Sequence, residues 1–202
     1  MIKIEHLKKS FPDGVLFQDL NLEIKDGEFV VFSGKSGCGK TTLLNMIGSL
    51  ESYDSGKITV NGLDIGVKRN QRKYLREEVG FVFQNFALVE EKTVKENLKL
   101  INKGNSSGMS MEEALEKVGL SNKINAKIYS LSGGEQQRVA LARVLMKKCS
   151  IVLCDEPTGS LDRTNGDAVI DIIKTMHSSG KTIIMVTHDE KYKNCGERLI
   201  TL

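Results

Sequence analysis

The feature that most constrains the fold is a glycine-rich segment between an apolar strand pattern and a helix pattern. The pattern G-x-x-x-x-G-K-[ST] spans residues 34–41 and directly follows the apolar run 28–32. Glycines let backbone amides close around an anion, and a helix that starts at the end of the loop adds partial positive charge. A strand, a loop of this kind and a helix, in that order, predict an α/β fold that binds phosphate groups.

Side chains suited to a nucleotide and its metal ion occur in two places. Lys40, in the loop, is expected to reach the β- and γ-phosphates, and Thr41 is expected to hold Mg²⁺. Asp155 and Glu156 follow the apolar run 151–154, which places two carboxylates at the carboxyl end of a predicted strand. Ligands of open α/β sheets bind at that edge. A surface Asp-Glu pair before a proline turn is the alternative, and the phosphate loop in the same chain disfavours it.

Residues 131–135, with the sequence Leu-Ser-Gly-Gly-Glu, form a second candidate anion site. Ser132 and Glu135 have the spacing of a capping box, and a helical sequence continues over 136–143. Two glycines at a helix start leave the N-terminal amides open to an anion. A capped core helix without a ligand is the alternative interpretation.

The remaining pattern predicts a mainly parallel sheet with two additions. Strand and helix patterns alternate in the last third of the chain, which favours parallel strands covered by helices. Alternation over 2–7 and 17–24, with the hairpin signal Asn61-Gly62, predicts an N-terminal antiparallel β subdomain. Residues 85–148 predict an inserted α-helical lobe, and residues 1–202 together are expected to form a single domain.

Composition narrows the class of protein. The chain has 29 basic and 26 acidic residues, a net charge of +3, which is too balanced to argue for a nucleic-acid partner. No apolar run approaches the ~20 residues of a membrane helix, and no signal peptide is evident, so a soluble or peripheral protein is expected. The four cysteines form no CxxC pair, which is typical of reduced cytosolic thiols rather than of disulfides or a zinc site.

In their order along the chain, these motifs resemble those of the ATP-binding cassette (ABC) ATPases, and the resemblance covers nearly the whole chain. It implies a P-loop NTPase of ABC type that uses ATP and Mg²⁺, with Asp155 supporting the metal ion and Glu156 as general base. It also implies that the segment 131–135 faces the γ-phosphate held by another subunit. The residues predicted to bind nucleotide are Phe11, Gly34, Lys35, Ser36, Gly37, Cys38, Gly39, Lys40, Thr41, Thr42, Ser132, Gly133, Gly134, Glu135 and Asp162.

Four further positions match the same family. Gln84 resembles the Q-loop glutamine, which contacts Mg²⁺ and water and senses the transporter partner. The segment 160–162, Ser-Leu-Asp, resembles the D-loop at the dimer interface, and His188 resembles the switch histidine near the γ-phosphate. Phe11 occupies the position of the aromatic residue that stacks on adenine, an interaction worth roughly 1–3 kcal/mol in nucleic-acid systems. Taken alone, the glutamine, the histidine and the phenylalanine each have a purely structural alternative.

The resemblance also implies partners. Two ATP molecules are expected at the interface of a head-to-tail homodimer, or of a heterodimer with a related ATPase. Residues 82–89 and 93–98 resemble the branch that contains macrolide-export, lipoprotein-release and bacteriocin- or peptide-export ATPases, whose partners are separate permease chains. The docking surface for the permease is expected around residues 84–91 and 104–108.

The predicted function is ATP hydrolysis that drives export of a peptide, lipoprotein or antibiotic, at the cytoplasmic face of the cell membrane. The alternative is an ABC ATPase of the cell-division type, whose membrane partner moves no solute. DNA-repair and chromosome-organising relatives carry long coiled coils or zinc modules, and this sequence has neither heptads nor a cysteine cluster between the two glycine motifs. The substrate is not predicted, because it would contact the permease.

Overall fold

The computed structural model describes residues 1–202, apart from the side chain of Lys103. Within this description nine strands form two sheets, one antiparallel and one parallel. The strands are β1 (Ile2–Phe11), β2 (Gly14–Ile24), β3 (Phe29–Ser33), β4 (Ser55–Val60), β5 (Leu63–Asp64), β6 (Val79–Val82), β7 (Ile151–Asp155), β8 (Thr182–Val186) and β9 (Arg198–Thr201).

Six α-helices accompany these strands in the described residues. The predicted helical lobe contains three of them, and the longest, α5, packs against α3, α4, α6 and β6. No helix in the described part of the chain is long and apolar enough to cross a membrane. The helices are α1 (Lys40–Ile47), α2 (Lys68–Glu77), α3 (Val94–Leu98), α4 (Met111–Lys117), α5 (Gly133–Met146) and α6 (Arg163–Ser178).

The parallel sheet has the strand order β6-β7-β8-β3-β9, with every neighbouring pair parallel. Strands β3 and β8 are buried along their whole length, as expected for apolar runs covered on both faces. All carboxyl ends therefore lie along one edge, where β3 leads into the glycine loop, β7 ends at Asp155 and β8 leads to His188. The predicted parallel core is confirmed.

The antiparallel sheet has the order β2-β1-β4-β5 and packs on one face of the parallel sheet. Its hairpin turns at Asn61 and Gly62, whose φ angles of 50° and 78° suit the tight turn that their sequence predicts. Strand β2 begins at Gly14, three positions before the predicted start, because its pairing with β1 continues to Phe11.

Residues of β3 alternate between two hydrophobic clusters. Phe29 and Val31 face the helical lobe and α6, whereas Val30 and Phe32 face α1 and the antiparallel sheet. Helix α3 ends at Leu98, after which the backbone N–H groups of Leu100 and Ile101 donate to carbonyls three residues earlier.

Candidate nucleotide site

The glycine loop joins the end of β3 to the start of α1. Its last glycine, Gly39, is the N-cap of α1 with φ of 98°, a left-handed conformation that favours glycine. A side chain at this position would also lie within 3.0 Å of Leu16 and Phe17. Because a glycine N-cap offers no side-chain acceptor, the first amides of α1 are left for a ligand.

Lys40 folds back across this loop. Its Nζ donates to the carbonyl oxygens of Gly34 at 3.0 Å and Lys35 at 2.8 Å, and it lies 3.7 Å from Cys38 Sγ. The ammonium group is thus held over the loop, where it can meet phosphate oxygens. The cleft around it brings together much of the predicted set, being lined by Phe11, Leu16, Ser36, Gly37, Gly39, Lys40, Thr41, Thr42 and Glu156.

Thr41 and Asp155 meet beside the loop. The hydroxyl of Thr41 donates to Asp155 Oδ1 at 2.9 Å. Burial, and then the neighbouring Glu156, raise the pKa of Asp155, and the Thr41 hydrogen bond opposes that shift. Gln84 lines the same cleft as Asp155. A hydroxyl and a carboxylate oxygen are hard ligands of the kind Mg²⁺ prefers, so these residues fit the ion.

The described residues contain no group of three His, Cys, Asp or Glu side chains that could hold a metal ion by itself. Mg²⁺ commonly binds through one or two carboxylates plus phosphate oxygens of a substrate. The Thr41–Asp155 pair suits such a shared site better than a site built from protein alone.

Glu156 and His188 form a close pair at the carboxyl edge of the parallel sheet. His188 Nδ1 lies 2.8 Å from Glu156 Oε1, and the His188 backbone N–H donates to Oε2 at 3.3 Å. The Glu156 side chain is 14% exposed and that of His188 is 68% exposed. Glu156 has φ of 46°, a left-handed conformation that costs a non-glycine residue about 1–3 kcal/mol. The fold therefore fixes this carboxylate at the nucleotide cleft.

Phe11 lies at the end of β1 and is 44% exposed, so it is not the core residue that the structural alternative required. Lys9 Nζ lies 4.6 Å from the centre of the Phe11 ring. Lys9 is itself buried and bonds to Glu51 Oε1 at 2.6 Å and to the Ser52 carbonyl at 2.8 Å. Alternation from Ile2 would place Lys9 on the outer face, and irregular pairing of β1 with β2 turns it inward, so the sequence contained no signal for this contact.

The second glycine motif caps α5. Ser132 Oγ accepts from the Glu135 N–H at 3.3 Å, and Glu135 Oε2 accepts from the Ser132 N–H at 2.9 Å, which completes the predicted capping box. Glu135 also pairs with Lys123 at 3.1 Å, so its carboxylate is engaged within its own chain. A side chain at Gly134 would lie 2.3 Å from Asn165 Oδ1, which explains why the motif needs glycine there.

The two glycine motifs do not meet within one chain. Among the described residues, no hydrogen bond joins the Ser132–Glu135 segment to the phosphate loop. The amide-rich start of α5 therefore needs a ligand from elsewhere if it is an anion site.

Helix α5 is connected to the segment after Glu156 by contacts that sequence alone did not reveal. Asp162 is the N-cap of α6 and accepts from the Asn165 N–H at 2.9 Å, which lowers its pKa. Asn165 Oδ1 in turn accepts from Arg138 at 2.8 Å. Gln137, fully buried on α5, donates to the Pro157 carbonyl at 2.8 Å. Asp162, the predicted D-loop residue, thus lies where hydrogen bonds connect α5 to α6.

The loop after Gln84 is held in an unusual conformation. Phe86 and Ala87 have φ of 62° and 48°, and Arg143 on α5 donates to their carbonyls at 3.2 Å and 2.6 Å. Leu88 packs against the core of the helical lobe, whereas Val89 is 43% exposed. In the segment 84–91, where the docking surface is expected, Leu88 is thus partly engaged by the lobe and Val89 is open to a partner.

Comparison with known proteins places this geometry in a family. A family model described as "ABC transporter" matches residues 17–159. The chain is 42% identical over 215 aligned residues to the macrolide export ATP-binding/permease protein MacB of Campylobacter fetus, covering all of this chain and 33% of that protein. It is 39% identical to the putative hemin import ATP-binding protein HrtA of Staphylococcus saprophyticus, covering all of this chain and 96% of HrtA.

A solved structure is similar over the same length. The dimeric post-hydrolysis state of the ATP-binding cassette MJ0796, bound to ADP and phosphate, has a TM-score of 0.86 and 35% identity, covering all of this chain and 94% of that one. The chain spans about a third of the length of the MacB-type relatives and nearly all of the HrtA-type relatives.

Proposed function

Because this chain belongs to the ABC transporter family, as an ATPase domain, we propose that it hydrolyses ATP with Mg²⁺ to drive a separate membrane permease in the direction of export. The observation that carries the proposal is the meeting of Lys40, Thr41, Asp155 and Glu156 at one edge of the parallel sheet. The proposed cargo class is a peptide, a lipoprotein or an antibiotic.

The proposed hydrolysis rests on positioning and charge. The amides at the start of α1 and the Lys40 ammonium hold the phosphates in line. Thr41 and Asp155, with Gln84 beside them, would hold Mg²⁺, which offsets the phosphate charge when bound.

The proton of the attacking water goes to Glu156. Its carboxylate is fixed by His188 at 2.8 Å, so the acceptor oxygens face the cleft before ATP arrives. His188 itself is largely exposed, which leaves its other ring nitrogen free to meet the γ-phosphate region.

The site is proposed to be completed by a second chain. Ser132 and Gly134 lie at the start of α5, apart from the phosphate loop of their own chain. In a head-to-tail pair, these amides would face the γ-phosphate bound to the partner, and Asp162 would stand at the interface. The dimeric arrangement of the MJ0796 cassette supports this proposal.

The names of the relatives point in more than one direction. MacB is named a macrolide export ATP-binding/permease protein, SyfD of Pseudomonas syringae a probable syringafactin export ATP-binding/permease protein, and HrtA a putative hemin import ATP-binding protein. The resemblance of residues 82–89 and 93–98 to export ATPases favours export. A permease on a separate chain is supported by the HrtA relatives, which are named ATP-binding proteins and have a similar length.

Reconstitution with the permease tests both parts of the proposal. The permease that co-purifies with this chain from its native source is placed in vesicles with the ATPase facing outward. ATP added outside should move cargo from the outer to the inner side, which corresponds to export from the cell, and Lys40→Ala should abolish the movement. Cargo movement toward the ATP side would indicate import, and ATP hydrolysis without cargo movement would indicate a regulatory partner instead.

A further inference from the structure

Helix α2 presents a basic face that the ATPase site does not use. Five of its ten residues are basic and only Glu77 is acidic. At 3.6 residues per turn, the five basic positions fall within an arc of about 140° that excludes the buried Tyr74. This basic face consists of the exposed residues Lys68, Arg69, Arg72, Lys73 and Arg76.

The charges of the basic face are not balanced locally. Among the described residues, only Arg76 has a carboxylate partner, Glu77, with its Nε at 3.1 Å. Lys68 and Arg69 occupy the first turn of α2, where the helix dipole disfavours cations. These positive charges destabilise the start of the isolated helix. Their presence there points to a role in binding something other than this chain.

The rest of the chain holds α2 firmly against the core. The Tyr74 hydroxyl donates to the Ile47 carbonyl at 2.8 Å, and Lys147 donates to the carbonyls of Leu75 and Val79, each at 2.6 Å. Ile47 is the last residue of α1, so α2 lies at the end of α1 opposite the phosphate loop. The helix that carries the basic face is therefore fixed to the core and lies away from the nucleotide cleft.

We propose that the basic face of α2 binds the phosphate headgroups of an anionic lipid membrane. A cluster of four to eight basic residues on an amphipathic helix is suited to such a surface. The anchors of protein interfaces combine arginine with tyrosine or tryptophan side chains that insert into pockets. The aromatic side chain of α2, Tyr74, is instead buried in the core of this chain, so the exposed surface of the helix offers charge without such an anchor. This contact attaches the ATPase to the lipid surface, in addition to its binding to a permease. The contact does not depend on ATP hydrolysis.

Vesicle sedimentation tests the proposal with the purified chain alone. The probes are vesicles of phosphatidylcholine, with and without one-third phosphatidylglycerol, at about 0.05 M and about 0.5 M salt. The test variant replaces Arg69, Arg72 and Lys73 by Gln. A matched control replaces Lys57, Lys117 and Lys174 by Gln, because these lysines are exposed on three other elements and the change in net charge is the same.

The wild type and the control variant should bind the anionic vesicles at low salt and much less at high salt. The α2 variant should bind about 100-fold more weakly, since each basic side chain near an anionic surface contributes about fivefold. Equal binding of neutral and anionic vesicles by the wild type, or equal loss in both variants, would overturn the proposal. A defect of the α2 variant that appears only when the permease is present would assign the face to an acidic protein surface instead.

Measuring ATP binding by the same three proteins distinguishes a failure of the lipid proposal from a failure of the proposed function. All three proteins should bind ATP alike, because the substituted residues lie away from the nucleotide cleft. A chain that binds anionic vesicles but not ATP would contradict the ATPase assignment alone, whereas one that binds ATP but not the vesicles would contradict only the lipid contact.

Discussion

At the scale of single residues, Glu156 shows what sequence can and cannot predict. Its place at the ligand-binding edge of the sheet is predicted by two carboxylates after an apolar strand in a chain with a phosphate loop, and its proposed role as general base is implied by the family resemblance. Its left-handed backbone and its 2.8 Å contact with His188 do not follow, because both depend on how β7 and β8 end side by side. The contact between Lys9 and the Phe11 ring is likewise set by tertiary structure and could not be predicted from local pattern. Local pattern identifies reactive residues, and tertiary structure sets their partners.

Lys40→Ala should abolish useful ATP binding. The substitution removes the ammonium group that lies over the phosphate loop. Hydrogen bonds to charged groups are worth about 1.5–3 kcal/mol each, so affinity for ATP should fall at least about 100-fold. Calorimetric titration with MgATP measures this, and Lys174→Ala, which removes an exposed charge on α6, serves as the control. Wild-type ATPase activity in Lys40→Ala would refute the phosphate-loop assignment.

Cys38 should be the first thiol to react with an alkylating reagent. Burial raises the pKa of Cys149, Cys154 and Cys195, which leaves their reactive thiolate forms scarce at neutral pH. Cys38 lies in the phosphate loop and is partly exposed, so MgATP should protect it and an adduct should block ATP binding. Mass spectrometry with and without MgATP measures the labelling, and Cys38→Ser should remove the sensitivity. Equal labelling of Cys38 in both conditions contradicts the prediction.

At the scale of elements, capping patterns made a helix start easier to predict than the path of a loop. Three capping boxes stand where helices begin, at Thr93, Ser110 and Ser132, and the box at Ser132 was predicted from spacing alone. The path of the Gln84 loop was not predictable, because it depends on side chains from α3 and α5. Arg143 holds that loop from α5, and the fully buried Asn97 bonds to the backbone of Val89 and Thr93.

The capping box of α5 should make the chain sensitive to acid. The backbone N–H of Ser132, then other hydrogen bonds, lower the pKa of Glu135 below its ordinary 4.5. Because the folded pKa is lowered, its stabilisation is fully present above pH 4.5 and disappears as the pH falls through the folded value. Glu135→Gln keeps a capping box but should reduce the loss of stability with falling pH in this range, because glutamine does not titrate. Thermal unfolding from neutral to acid pH measures it, with exposed Glu112→Gln as control, and an unchanged profile in Glu135→Gln contradicts it.

Val89 is the side chain of the Gln84 loop best placed to contact a permease. Asn97 fixes its backbone, while its side chain stays 43% exposed. Val89→Asp should weaken permease association about tenfold by removing an apolar contact of roughly 1.5 kcal/mol, without changing the ATPase of the isolated chain. Val15→Asp, at a site 57% exposed on β2, is the matched control for pull-down with the permease. Equal binding by both variants would place the docking surface elsewhere.

At the scale of the whole molecule, the two glycine motifs do not form one site within a single chain. Each motif ends in helix amides suited to phosphate, yet the phosphate loop and Ser132 share no hydrogen bond in the described part of the chain. The fold as a whole was predictable, because the motif order matched a family. The dimer was predictable only through that resemblance, since no periodicity or charge pattern in this sequence specifies the partner surface. The similar MJ0796 cassette is dimeric in its ADP and phosphate state.

Glu156→Gln should trap that dimer with two ATP molecules. The amide keeps the size of the side chain but cannot accept a proton from water, so the γ-phosphate that bridges the two chains should persist. His188 can still meet the side-chain oxygen, which leaves the local geometry in place. Light scattering at saturating ATP should give twice the mass of the chain, and the same sample with ADP should give a monomer, because ADP lacks the bridging phosphate.

The control for this trap is Glu156→Gln combined with Ser132→Arg. A bulky cation at the start of α5 should block the second chain without touching the phosphate loop of its own chain, so ATP should still bind while the dimer is lost. ATP hydrolysis in the single variant should fall at least about 100-fold, the scale expected for a general base. A monomer at saturating ATP, together with undiminished turnover, would show that Glu156 is not the base and that Ser132 does not act on a partner's nucleotide.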